Sequence, residues 1–170
     1  VAKGKVRVGV SACLLGERVR WDGGHKLDPL VVHTLSPDVE WVPVCPEVES
    51  GLGVPRPPMR LRRRRGAVRL VVDGGADVTP AVRRFIGPKL AELARLGLHG
   101  YVLKSRSPSC GLDVPIQDGE RTRRGRGVWA AALIRRFRGV PVVEAEALRD
   151  PRLRRAFFAR ARARARGSAR

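Results

Sequence analysis

No stretch of the chain approaches the ~20 consecutive apolar residues that a membrane span requires, so no membrane partner is expected. Cysteine is scarce: Cys13, Cys45 and Cys110 are the three in 170 residues. An odd count excludes a fully paired disulfide framework, and separations of 32 and 65 residues exclude CxxC knuckles and thioredoxin-type motifs. Aromatics, at 5%, are too few for a base-stacking platform, and no RNP or KH signature is present. Acid is short as well: 16 Asp and Glu face 35 Lys and Arg, of which five are lysines. The first residues, VAKGKVRVGVSACLLG, alternate as a strand does instead of forming a secretory h-region, so the expectation is a soluble, cytoplasmic protein.

What is present is arginine, unevenly placed. The net charge is +19; residues 151–170 hold eight arginines and no acid, and residues 60–69 hold six more. Such segments attract polyanions without sequence preference, so nonspecific RNA contact through them is one candidate partnership. Apolar residues make up 43% of the chain. A single domain of this length can bury roughly two thirds of its unfolded surface, and no staple is needed. The organisation expected is one domain over residues 1–148 followed by a basic C-terminal helical tail over 149–170.

Strand and helix patterns alternate along the chain. Residues 6–10, 41–45, 67–72, 101–103 and 140–143 read as strands. Asp28-Pro29 opens a short helix to residue 35, with aspartate as N-cap. Thr79-Pro80 caps a longer one that Gly97 stops, and residues 127–136 and 150–166 complete the helices. Residues 51–66 read as a Pro/Arg loop. The alternation predicts an α/β fold: a mainly parallel central sheet with helices on both faces, a Rossmann-like three-layer sandwich.

On that scheme the three cysteines follow strands: Cys13 after the first, Cys45 at the end of the second, Cys110 in the loop after residues 101–103. Open parallel sheets bind ligands beyond the carboxyl ends of their strands, so all three thiols are expected on one edge. Three convergent thiolates suit a soft metal: zinc with His25 as fourth ligand, or a 4Fe–4S cluster with one iron lacking a protein ligand. A nucleophilic thiol and three unconnected buried cysteines are the other readings. Ser107-Pro-Ser109-Cys110-Gly111, preceded by Lys104-Ser105-Arg106, sets hydroxyls and cations beside one cysteine. Cys45-Pro46-Glu47 sets a carboxylate two residues from another, as acid–base chemistry requires. Trp21-Asp22-Gly23-Gly24-His25-Lys26 is a turn carrying a carboxylate and an imidazole.

Several blocks, in order, carry a resemblance: Val10-Ser-Ala-Cys-Leu-Leu-Gly16 with Trp21-Asp-Gly-Gly-His-Lys26; Val42-Pro-Val-Cys-Pro-Glu-Val48 with Gly51-Leu-Gly-Val-Pro-Arg-Pro-Pro58; Asp77-Val-Thr79; and Leu103-Lys-Ser-Arg-Ser-Pro-Ser-Cys-Gly111. Over residues 6 to about 145 the chain resembles the domain of unknown function 523 family, which includes thiouracil desulfidases. The resemblance implies a 4Fe–4S cluster on Cys13, Cys45 and Cys110, and removal of sulfur from a small thiolated pyrimidine. It also implies Glu47 and Ser107 as acid–base residues; Ser11, Asp22, His25, Lys104, Ser105 and Ser109 are the candidates for contact with the substrate. Many relatives have an extra cysteine where this chain has Arg18-Val19-Arg20. The additional C-terminal domain of relatives that act on thiolated RNA is not expected here. A non-catalytic basic RNA-binding protein and a structural zinc domain are the competing readings.

Overall fold

The computed structural model describes residues 5–35, 37 and 39–167. In β1 (Val6–Ser11) the valines at 6, 8 and 10 fall on one face and Gly9 on the other, the period of an extended chain. β1 is flanked by β2 (Val39–Val44) and β5 (Gly100–Leu103), and β8 (Val142–Glu144) lies beyond β5; all of these pairings are parallel. On one face Val8, Val10 and Val102 pack against Val31 of a π-helical turn (Leu30–Leu35) and against Phe157, Phe158 and Ala161 of α4 (Pro151–Gly167). On the other, Val44, Tyr101 and Leu103 meet Leu90 and Leu93 of α2 (Thr79–Leu96) and Trp129 and Leu133 of α3 (Val128–Arg136). Gly9 is required there, because a Cβ would run into the ring of buried Tyr101. The parallel α/β sandwich read from the sequence is therefore present.

A second sheet was not foreseen. Its order is β4 (Ala67–Val72), β3 (Met59–Arg64), β6 (Val114–Asp118), β7 (Arg121–Gly125), made of two antiparallel hairpins joined by parallel β3–β6 pairing. Residues 67–72 form the expected strand but lie in this sheet instead of the central one. The supposed loop 51–66 contains β3, in which Leu61 is buried against Leu70, Ile116 and Val82 while the arginines on either side of it point away. α2 joins the two sheets: Val82 packs on the second, Leu90 and Leu93 on the first, and Ile86 touches both cores.

Helix ends follow local chemistry with one correction. Asp28 Oδ1 accepts the N–H groups of Leu30 and Val31 at 3.0 and 3.5 Å, as an N-cap does. Thr79 is not the cap of α2 but its first residue. Its hydroxyl accepts the N–H of Leu70 at 2.7 Å and ties helix to β4, while Asp77 Oδ1 accepts the N–H of Thr79 at 2.9 Å. Gly97, at φ 71°, closes the helix by donating to the carbonyls of Leu93 and Ala94. Residues 168–170 of the expected tail lie outside the described residues. No helix among the described residues is long and apolar enough to cross a membrane.

Candidate active site at the carboxyl edge of the central sheet

Each cysteine is placed by the element it follows. After β1 a short 3-10 turn (Ala12–Leu15) carries Cys13, whose carbonyl accepts the N–H groups of Gly16 and Lys26 at 3.3 and 2.9 Å and so draws the next loop across the sheet edge. Cys45 is the N-cap residue of α1 (Pro46–Glu49), and its N–H donates to Glu49 Oε1 at 2.9 Å. Cys110 sits in the loop after β5, where Ser107 Oγ accepts the N–H groups of Ser109 and Cys110 at 3.2 and 3.1 Å. The start of α3 holds that loop from behind: Trp129 N–H donates to the Ser109 carbonyl at 3.0 Å.

The three thiols, all unpaired, line one cavity of about 480 Å³. Burial pushes Cys13 up to about 11, with the neighbouring Cys45 adding to the effect and Lys104 and Arg20 opposing it. Burial also raises Cys45 and Cys110, the latter further, against a hydrogen bond from Ser11. A bound metal reverses this preference, since thiolate ligation releases the protons. Lys104, half-buried, is lowered chiefly by desolvation. Its Nζ donates to the carbonyl and hydroxyl oxygens of Ser105 at 2.8 and 3.3 Å.

Glu47 lies in the same wall. Arg56 donates to its Oε2 from both Nε and Nη2, the former at 2.9 Å, and Ser109 Oγ donates to Oε1 at 2.8 Å. Arg56 also donates to the carbonyls of Gly53 and Val19 at 2.7 and 2.8 Å, so one buried guanidinium ties its own loop to α1 and to the loop at Val19.

The cavity thus gathers Cys13, Cys45, Cys110, Glu47, Ser107, Ser11, Lys104 and Ser105 from the residues singled out in the sequence. Three others stand outside its lining. Ser109 is fully buried behind Glu47. Asp22 is bound to Arg20 and to the N–H of Gly24 within its own turn. His25 is exposed, with Nδ1 accepting the N–H of Leu27 at 3.1 Å. A zinc site of three cysteines and His25 therefore lacks its fourth donor at the cavity.

Sequence reasoning did not single out Arg56 and Met59 as site residues; Trp21 and Lys26, which it noted only as parts of a turn, also line the wall. The available signal for Arg56 was its place in the Val-Pro-Arg-Pro-Pro run, where proline stiffens the chain around a single cation.

Fold and site define an α/β protein whose chemistry centres on a thiol-lined cavity at the carboxyl edge of a parallel sheet. The chain belongs to the 2-thiouracil desulfurase family, whose pattern matches residues 8–145. It is 30% identical to the uncharacterized protein YbbK of Bacillus subtilis strain 168, over 73% of this chain and 87% of that one. It is 34% identical to a solved structure described as the 4Fe–4S-dependent thiouracil desulfidase TudS, which it matches with a TM-score of 0.68 over 91% of this chain and 99% of the other.

The residues present fit a polynuclear cluster. Three free soft donors reach one cavity from three separate loops, with Lys104 and Arg20 placed to offset thiolate charge. Among the described residues no three His, Cys, Asp or Glu side chains form a shell for a single ion.

Proposed function

We propose that this chain is a desulfidase that exchanges the sulfur of a small, thiouracil-like thiolated pyrimidine for oxygen, with Cys13, Cys45 and Cys110 holding a 4Fe–4S cluster. The observation that carries the reading is the meeting of those three free thiols in one cavity. When bound, the cluster supplies an iron without a protein ligand, a Lewis acid with affinity for the soft thiocarbonyl sulfur.

The chain's own residues supply the rest. Glu47 takes a proton from the water that adds to the ring carbon: Arg56 fills both lone pairs of Oε2, and Ser109 fills one of Oε1, which keeps the other for that proton. Ser107 faces the cavity and donates a hydrogen bond to the ring. Ser11, Lys104 and Ser105 line the same cavity, and Lys104 keeps a cation beside the departing sulfur. Water and the thiocarbonyl give the carbonyl product and sulfide, with no net change in oxidation state. A cytoplasmic setting suits the reading, because thiols stay reduced there.

The test is anaerobic reconstitution with iron and sulfide, followed by chromatographic assay of uracil formed from 2-thiouracil. The wild-type chain is expected to take up about four irons with broad visible absorption and to turn over. Cys13→Ser, Cys45→Ser and Cys110→Ser are each expected to lose both properties, whereas Glu47→Gln should keep the absorption and lose at least about a hundredfold in rate. A Cys110→Ser variant with full iron content and full rate would overturn the assignment.

A further inference from the structure

The second sheet has an unusual outer face. Leu61, Leu70 and Ile116 point towards Val82 of α2, so by the alternation of a strand Arg60, Arg62 and Arg64 of β3 point the other way. The register sets Arg62 directly opposite Arg69 of β4 on one side and Gln117 of β6 on the other, and Gln117 opposite Thr122 of β7. Like charges facing each other across strands destabilise a sheet, so the fold itself gains nothing from this arrangement. At the edges Arg60 pairs with Asp73, and Arg69 approaches Asp77 at 3.8 Å. Arg62 in the middle makes no ion pair among the described residues, and its Nε is buried without an acceptor.

We propose that this face docks the phosphodiester backbone of an RNA strand. Arginines at alternate positions of β3 stand roughly 6.6 Å apart, and adjacent strands add neighbours at about 4.8 Å, a grid suited to successive phosphates. Gln117 and Thr122 continue the row with groups able to bond a 2′-hydroxyl, which DNA does not have. None of the exposed large hydrophobic side chains lies on these strands, so the face offers no apolar anchor for a lipid surface. The absence of aromatics there makes the contact indifferent to base sequence. α4 is a poorer platform: Arg154 donates to the Leu148 carbonyl, Arg162 lies over the Phe158 ring, and its other arginines are spread around the helix. The proposal does not depend on the desulfidase reading.

The test is fluorescence anisotropy of a labelled single-stranded RNA with the full chain over a range of salt concentrations. The R62Q/R64Q/R69Q variant is expected to weaken binding about tenfold or more and to reduce the salt slope by about 2. The R155Q/R160Q/R166Q variant removes equal charge from exposed positions of α4 and is expected to change affinity less than about threefold. Equal losses in the two variants would show a diffuse charge effect and overturn the surface. Equal affinity for DNA of the same sequence, or displacement of the RNA by phosphatidylserine vesicles at matched charge, would overturn the choice of RNA. If the sheet variant does not fold, the wild-type chain carries the test. Bound RNA should protect Arg62 and Arg64 from phenylglyoxal, as read by mass spectrometry, and protection confined to α4 arginines overturns the proposal.

Discussion

Glu47 and Arg56 show how one residue can be legible and its partner not. Their side chains are 13% and 5% exposed, so the pair is screened little by water. Arg56→Met should cost about 3–5 kcal/mol in urea unfolding of the chain, because the carboxylate is left buried without its countercharge. The double variant R56M/E47Q should recover most of that loss, and a cycle in which the two costs simply add would show that the pair does not interact. Glu47 was visible in sequence because it follows Cys45 directly after a strand. Arg56 was not, since among 35 basic residues nothing in composition marks one arginine as buried. Asp22 and His25 lie outside the cavity lining for the converse reason. Both are chemically capable residue types, but each satisfies backbone donors of its own turn and stays outside the cavity.

At the scale of elements, the central sheet was readable because its valines alternate and its loops end strands with cysteines. β3 and β7 were not, because arginine occupies the outward positions and fills even some inward ones, which erases the apolar/polar contrast that marks a strand. The support of the Cys110 loop by α3 was equally hidden, and it rests on a glycine. A Cβ on Gly127 would run into the backbone of Ser109 and come within 2.8 Å of the Pro108 carbonyl oxygen. Gly127→Ala should therefore shift the loop, cost about 1–3 kcal/mol and lower iron uptake on reconstitution. Gly87→Ala is the internal control. It lies within α2 with open space around it, and should stabilise by about 0.5–1 kcal/mol without changing iron uptake. If both alanines reduced iron uptake alike, backbone flexibility rather than the Gly127 contact would be responsible.

For the whole molecule, proton uptake and net charge act on stability in separate ranges. His99 accepts the N–H of Arg7 through Nδ1 at 2.9 Å and so links the end of α2 to β1. Burial, and secondarily the Arg7 charge, hold its imidazole below the ordinary value of about 6.5. The unfolded chain thus takes up this proton before the folded one does. Stability is complete above about pH 6.5 and declines as pH falls through the folded value. The urea midpoint should fall between about pH 7 and 5.5, and His99→Asn should flatten that part of the curve.

The net charge of +19 acts at every pH in that range. Folding brings these arginines closer than they lie in the extended chain, so repulsion opposes the native state. The ion pairs that oppose repulsion are mostly at the surface: the Arg106–Glu146 pair, for instance, has side chains 81% and 50% exposed and contributes little. Repulsion acts over longer distances than such contacts, and the Debye length shortens to about 10 Å at 0.1 M salt. Sodium chloride between about 0.02 and 0.3 M should therefore raise the melting temperature by several degrees, most of the rise coming below about 0.1 M, where the screening length changes fastest. Chloride is the suitable anion, since sulfate would add an exclusion effect of its own. A melting temperature that fell with added salt would show that the surface pairs outweigh the excess of arginine, and that the charge of this chain stabilises rather than strains its fold.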